Sequence, residues 1–146
     1  PDGMPEARTI VLRAADRETA TLEVHTDGGS GKIRSLQAHP VAQLHVWDER
    51  VKLQIRATAQ VTIETGTSVA AKWTRVPDGS RMAYGASPRP GTSIDNAHAY
   101  TKLASSDWFT VLTCRLVDIE LMQLVDPHRR AVFTRETDWS GQWLVP

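Results

Sequence analysis

Two β-rich stretches near the start set the frame for the rest of the chain. Residues 8–14 read Arg-Thr-Ile-Val-Leu-Arg-Ala, a β-branched and apolar run. Residues 20–26 alternate, with Leu22 and Val24 on one face and Glu23 and His25 on the other. A continuous apolar run predicts a strand buried on both faces, and alternation predicts a strand with one face in a core. Asp16-Arg17-Glu18 turns the chain between them, so the two are expected to pair antiparallel.

The same signals recur downstream. Residues 41–47 alternate through Leu44 and Val46, and residues 51–63 predict a long strand. In it Val51, Leu53 and Ile55 face inward, with Lys52, Gln54 and Arg56 opposite. Residues 109–124, 132–135 and 142–145 extend the sheet. Helical signals are short. Ile33 and Leu36 lie three apart before Pro40, and Val69 and Trp73 lie four apart within residues 67–76. Residues 77–90 are rich in Gly, Pro and Ser, which predicts an ordered functional loop or a dimer arm. No repeat or long linker divides the chain, so a single mainly β domain over residues 1–146 is expected, as a closed antiparallel barrel. Asp2-Gly3 is a turn signal whose first strand would precede Pro1, and an element upstream is expected.

Charge and residue type narrow the function. Lys+Arg and Asp+Glu number 17 each, for a formal net charge of zero. That argues against general nucleic-acid binding, which needs a basic face, and leaves room for a local anion pocket. The single cysteine, Cys114, lies in an apolar run and is expected in the core. His25, His39, His45 and His98 show no metal-ligand spacing. No stretch has the length of a membrane span and no signal peptide is visible, so the expected compartment is the cytoplasm. Trp47 and Trp73 are expected in the core, and Trp139 and Trp143 packing the C-terminal segment.

Four features are candidates for chemistry. Residues 27–32, Asp-Gly-Gly-Ser-Gly-Lys, open the first short helix. Glycines admit an anion to backbone N–H groups, the helix start adds positive potential, and Ser30 and Lys32 supply a hydroxyl and a charge. The motif lacks the glycine and the Ser/Thr of a Walker A loop, having Thr26 and Ile33 there. A plain surface turn with a lysine is the alternative. Arg8 opens an apolar strand and needs a carboxylate or a phosphate as partner; Arg13 ends that strand, facing ligand or solvent. Gln54, mid-strand, offers donor and acceptor to a planar heterocycle or to water. His128-Arg129-Arg130 is either a basic turn or a site for proton transfer and anion binding.

The order of these features resembles a known family. Residues 8–13 resemble the R-x-V-L-L-K strand of pyridoxamine 5′-phosphate oxidases, and His25-Thr26 the Tyr-Thr that follows. Ser30-Gly31-Lys32 stands where the family has Ser-Arg-Lys, and Gln54-Ile55-Arg56 resembles its Gln-Val-Arg. His128-Arg129-Arg130 resembles its C-terminal His-x-Arg, and Trp143-Leu144-Val145-Pro146 its Leu-Ala-Pro ending. Residues 5–8, Pro-Glu-Ala-Arg, and Pro90-Gly91-Thr92 look closer to the cyanobacterial-type, oxidase-like FMN-binding subgroup.

That resemblance implies a six-stranded split barrel with FMN in a groove between the subunits of a homodimer. It implies that Arg8 and Lys32 bind the FMN phosphate, with Thr26 and Ser30 beside them. Thr9, Ile10, Val11 and Leu12 would line the isoalloxazine, Gln54 would hydrogen-bond it, and Arg130 would reach it from the C-terminal segment. Arg13 and His128 would face the substrate as catalytic candidates. The departures are Gly31 for the phosphate-binding arginine, Met122 for a flavin-contacting tryptophan, Lys72 and Val76 for the substrate-binding tyrosine and arginine, and Asp126 for a further arginine. The implied activity is FMN-dependent oxidation or reduction of a small molecule other than pyridoxamine phosphate. The alternatives are a non-catalytic flavin-binding or haem-handling protein and a deazaflavin-dependent reductase.

Overall fold

The computed structural model describes residues 4–146, so the Asp2-Gly3 turn lies outside the described residues. The strands are β1 (Leu12–Asp16), β2 (Thr21–Asp27), β3 (Val41–Asp48), β4 (Leu53–Thr65), β5 (Ala86–Ser87), β6 (Thr101–Lys102), β7 (Phe109–Gln123), β8 (Arg129–Thr134) and β9 (Gly141–Leu144). The helices are α1 (Gly31–Ala38), α2 (Ala70–Trp73, preceded by a tight helical turn Gly66–Val69) and α3 (Asp78–Arg81).

All ladders are antiparallel, and β7 is their spine. One edge of β7 pairs with β4 from Thr110 to Gln123. The other edge changes partner midway. Residues 109–115 pair with β2 and residues 118–123 with β8. The β4–β7 register also shifts between Thr58 and Ala59, and such an irregularity bends and twists a strand. This exchange of partners splits the barrel wall. The main sheet holds seven strands, one more than the resemblance implies, because β9 pairs with β8.

Alternation decides the two faces. Val24, Ala57, Ala59, Val61, Leu112, Cys114 and Leu116 form the inner core, which Ile33 of α1 enters with Leu36 packed against it. Cys114 is thus a core residue, as expected, and burial pushes its thiol pKa up. A second cluster covers the outer face at one end: Val69, Val76, Tyr84, Phe109 and Val111, with Trp73 packed on it. Phe109 is fully buried there, its ring 4.9–5.2 Å from those of His25, Tyr84 and Trp73. Its truncation to alanine costs about 3–5 kcal/mol by the usual rule for a buried aromatic.

Several expectations are corrected. Residues 8–11 stay outside the strand, and β1 is exposed along its whole length. Ile10, Val11 and Leu12 are 40%, 56% and 55% exposed. The reason is position: β1 is an edge paired only with β2, so a single chain gives its apolar residues nothing to pack on. Val51 is exposed rather than inward because the hairpin turn takes it, with Lys52 at φ 51°. Trp47 and Trp143 are exposed, whereas Trp73 and Trp139 do pack on the two cores. Among the described residues, no helix is long and apolar enough to cross a membrane.

Candidate functional site

The Gly-rich loop is a folded cradle. It leaves the end of β2 and enters α1 with Ser30 as N-cap. Asp27, nearly buried, shapes it. Its Oδ1 accepts the Gly29 N–H at 2.7 Å, and its Oδ2 accepts the Gly85 N–H at 2.6 Å, tying the loop to the segment after α3. Gly28 is required because a Cβ there would come within 2.8 Å of the Thr110 hydroxyl.

Thr26, Ser30 and Lys32 meet in this cradle. The Lys32 ammonium donates to Thr26 Oγ1 at 2.7 Å and to Ser30 Oγ at 3.0 Å. Both hydroxyl residues are buried, and burial together with the Arg8 charge lowers the Lys32 pKa, while Asp27 opposes the shift. A lysine whose proton is loosened by burial and by a second cation gains from an added anion. Arg8 pairs with Glu6, whose carboxylate also accepts from Ser35 of α1 at 3.0 Å. A Cβ at Gly31 would meet nothing within 4 Å, so the space beside the helix start is open. Two cations, two hydroxyls and free N–H groups at a helix start fit a phosphate.

A second cluster lies on the other half of β7. Gln54, Met122 and Arg130 stand in one cross-strand row on β4, β7 and β8, so their side chains share a face. Gln54 donates to His45 at 3.1 Å. Glu120, two residues along, takes Arg130 at 3.0 Å and also pairs with Arg56. The Arg130 and Arg56 hydrogen bonds hold the Glu120 carboxyl below the usual range, against the cost of burial. The Arg130 Nε is buried without a hydrogen-bond partner among the described residues, a donor suited to a ligand acceptor. His128 is exposed just before β8.

The two clusters are far apart. Thr26 stands opposite Thr110, and both Gln54 and Arg130 opposite Met122. Those positions are separated by about 40 Å of strand, at about 3.3 Å per residue. Arg13, near the first cluster, and His128, near the second, are likewise not brought together within one chain. The register shift between Leu12 and Ala14 leaves Arg13 as the extra residue of a bulge, the device by which strands re-aim a side chain. Burial raises the pKa of the buried Tyr84 hydroxyl, and the nearby Arg13 guanidinium opposes that rise. Thr9, Ile10 and Val11 lie in the exposed segment that leads to Leu12 and β1.

Sequence reasoning missed the groups that hold these side chains: Asp27, Tyr84, Glu120 and Glu23. Asp27 had a signal, since Asp before Gly-Gly at a strand end marks an Asx turn. Glu23 accepts from His25 at 2.7 Å and from Lys72 at 2.5 Å, contacts that only the tertiary fold makes visible in the second case.

Comparison with known proteins bears on both clusters. Residues 1–65 match the family model of the pyridoxamine 5′-phosphate oxidase FMN-binding domain. That span covers the cradle and Gln54 and stops short of Arg130. A pyridoxamine 5′-phosphate oxidase-related, FMN-binding protein of Nostoc punctiforme superposes with a TM-score of 0.83 at 23% identity, covering 100% of this chain and 84% of its own. PhzG from Burkholderia lata, solved in complex with tetrahydrophenazine-1-carboxylic acid, gives 0.78 at 19% identity, covering 99% and 77%. No curated protein matches by sequence. Residues 1–65 are thus similar to the FMN-binding domain of the pyridoxamine 5′-phosphate oxidases, and the whole chain has the antiparallel split-barrel fold of these structures.

Proposed function

We propose that this protein is an FMN-dependent oxidoreductase that acts on a small molecule from a flavin site shared between the two subunits of a homodimer. The observation that carries the reading is the cradle of Lys32, Thr26 and Ser30, inside the segment that matches an FMN-binding domain.

In this reading Arg8 and Lys32 hold the FMN phosphate, and Ser30 and Thr26 orient the Lys32 ammonium toward it. The exposed residues Thr9, Ile10, Val11 and Leu12 supply backbone and apolar surface for the ring. Gln54 and Arg130 hydrogen-bond the ring from the other subunit, because one mononucleotide cannot span both ends of β7. A two-fold pairing that sets one end of β7 against the opposite end in its partner completes two identical sites. It also covers the apolar residues of β1. Bound FMN supplies a two-electron hydride acceptor or donor. Arg13, beside Tyr84, orients the substrate, and His128 exchanges a proton with it. The cytoplasm is the working compartment, consistent with the buried, unpaired thiol of Cys114.

The purified protein should show flavin absorbance or acquire it on adding FMN. A colourless protein that ignores FMN overturns the reading. Mass spectrometry of the released ligand separates FMN from a deazaflavin. A second reading, flavin binding or haem handling without turnover, is favoured by Met122, which places a thioether between Gln54 and Arg130 where the resemblance has an aromatic ring. Turnover with NADH, NADPH or an amine decides against it.

A further inference from the structure

Beside Gln54 stands a histidine to which the flavin reading gives no part. In the β3–β4 ladder Trp47 is opposite Gln54, and His45 is opposite Arg56. Both rows run on across the sheet on one face, through Met122 to Arg130 and through Glu120 to Val132. Gln54 is half-buried and His45 exposed, and the Nε2 atoms of the two side chains lie 3.1 Å apart.

Two nitrogens in hydrogen-bond contact allow a single polarity. An amide nitrogen only donates, so His45 Nε2 accepts, which requires a neutral ring with its proton on Nδ1. Gln54 then has its amide oxygen to offer to a ligand. A second proton on His45 turns Nε2 into a donor and sets N–H against N–H. Half a turn of the Gln54 amide relieves the clash: the oxygen accepts from His45, and the NH2 group takes its place on the ligand side. Histidine is the side chain whose ordinary charge change falls between about pH 5 and 8.

The other charged groups on and around this face are committed to one another. Arg56, opposite His45, and Arg130 both pair with Glu120. In the hairpin, Glu49 pairs with Lys52 and Asp48 with Arg50, and Glu49 also accepts from Trp47 at 2.7 Å. Asp118 accepts from Thr58 at 3.0 Å, and Thr58 from Gln43 at 2.7 Å. In the row of Gln54 itself, the Arg130 Nε is buried without a hydrogen-bond partner among the described residues, a donor left for a ligand.

We propose that His45 is a positioning residue of the flavin site: neutral, it turns the Gln54 amide oxygen to the ring, and protonated, it turns the Gln54 NH2 group there. The polar edge of an oxidised flavin ring consists mainly of acceptors, its carbonyl oxygens and ring nitrogens, so protonation of His45 tightens the hold on oxidised FMN. The inference rests on the flavin reading for what Gln54 meets, and on the His45–Gln54 contact for the switch.

Two measurements test it. In the protein freed of flavin, NMR follows the His45 ring and the Gln54 side-chain amide from about pH 5 to 8. Neutral His45 should carry its proton on Nδ1, and the Gln54 amide signals should move with the His45 titration. In fluorescence titrations with FMN, the wild-type affinity is divided by that of His45→Leu, which cancels ionisation of the FMN phosphate and of His128. That ratio should rise about twofold to tenfold as pH falls through the His45 titration, the worth of one hydrogen bond. With Gln54→Leu in both proteins the ratio should stay flat, because the histidine acts through the amide; a direct attraction between imidazolium and FMN would keep its slope there. A neutral His45 protonated on Nε2, a ratio that does not change with pH, or a slope that survives Gln54→Leu each overturns the proposal. FMN that binds at no pH overturns the flavin reading and the proposal with it, whereas FMN that binds without the slope overturns the proposal alone.

Discussion

A flavin site divided between the ends of β7 makes a prediction that a site within one chain does not share. In the proposed site, Lys32→Ala would remove a charge-assisted phosphate contact at one end, and Arg130→Ala a ring contact at the other. Each contact is worth about 1.5–3 kcal/mol, so each homodimeric variant should bind FMN about tenfold to a hundredfold more weakly than wild type. The two variants are then mixed in equal amounts, unfolded and refolded together, and titrated with FMN by flavin fluorescence. Half of the dimers formed at random are mixed. In a mixed dimer with a shared site, one site carries both substitutions and the other carries neither. About one quarter of all sites should therefore return to wild-type affinity, as two-fold symmetry dictates. Sites contained within a single chain would each keep one substitution, and no high-affinity fraction would appear. Its absence, in a mixture shown by mass spectrometry to contain the mixed dimer, refutes the shared site.

Four further outcomes follow from particular contacts. Gly31→Arg places a third cation in open space beside Lys32, and FMN should bind several-fold more tightly in a fluorescence titration. Because burial and Arg8 lower the Lys32 pKa, FMN affinity should fall with rising pH earlier than for an ordinary lysine, and Lys32→Arg should move that fall to higher pH. Glu120 has a lowered pKa in the folded state, so its contribution to stability is present above its unfolded pKa and is lost as pH falls through the lower, folded value; Glu120→Gln should flatten that part of the acid branch in urea melts. Asp27→Ala strands two backbone N–H groups and should cost about 2–4 kcal/mol of unfolding free energy, read as a lower urea midpoint.

Much of the frame was legible because it rests on local chemistry. Alternation through Leu22 and Val24 does identify β2's inner face, and the Gly-rich run before Ile33 and Leu36 does open a helix that ends before Pro40. The meeting of Thr26, Ser30 and Lys32 follows from the same short stretch. What was misread depends on neighbours distant in sequence. The apolar run at residues 8–14 looks like an interior strand, and only the sheet order makes it an edge. Val51 fits the inward phase of β4, and only the hairpin removes it from the strand. The Glu23–Lys72 pair joins residues 49 apart, and no periodicity announces it. The separation of Gln54 and Arg130 from the cradle is a property of the β7 ladder, invisible while the motifs are read one after another.

Among the described residues β1 has one bare edge, and in the proposed dimer that edge would tie the life of the protein to its concentration. One side of that strand offers unpaired backbone donors and acceptors beside Val11 and Leu12, a template for any extended chain that meets it. A partner subunit seated there removes the hazard, and by mass action it also stabilises the folded subunit, so the melting temperature should climb as protein concentration rises. If the subunits pair as proposed, a newly made subunit would be exposed to aggregation and proteolysis until it met its twin, and abundance would then fall more steeply than synthesis when expression is reduced.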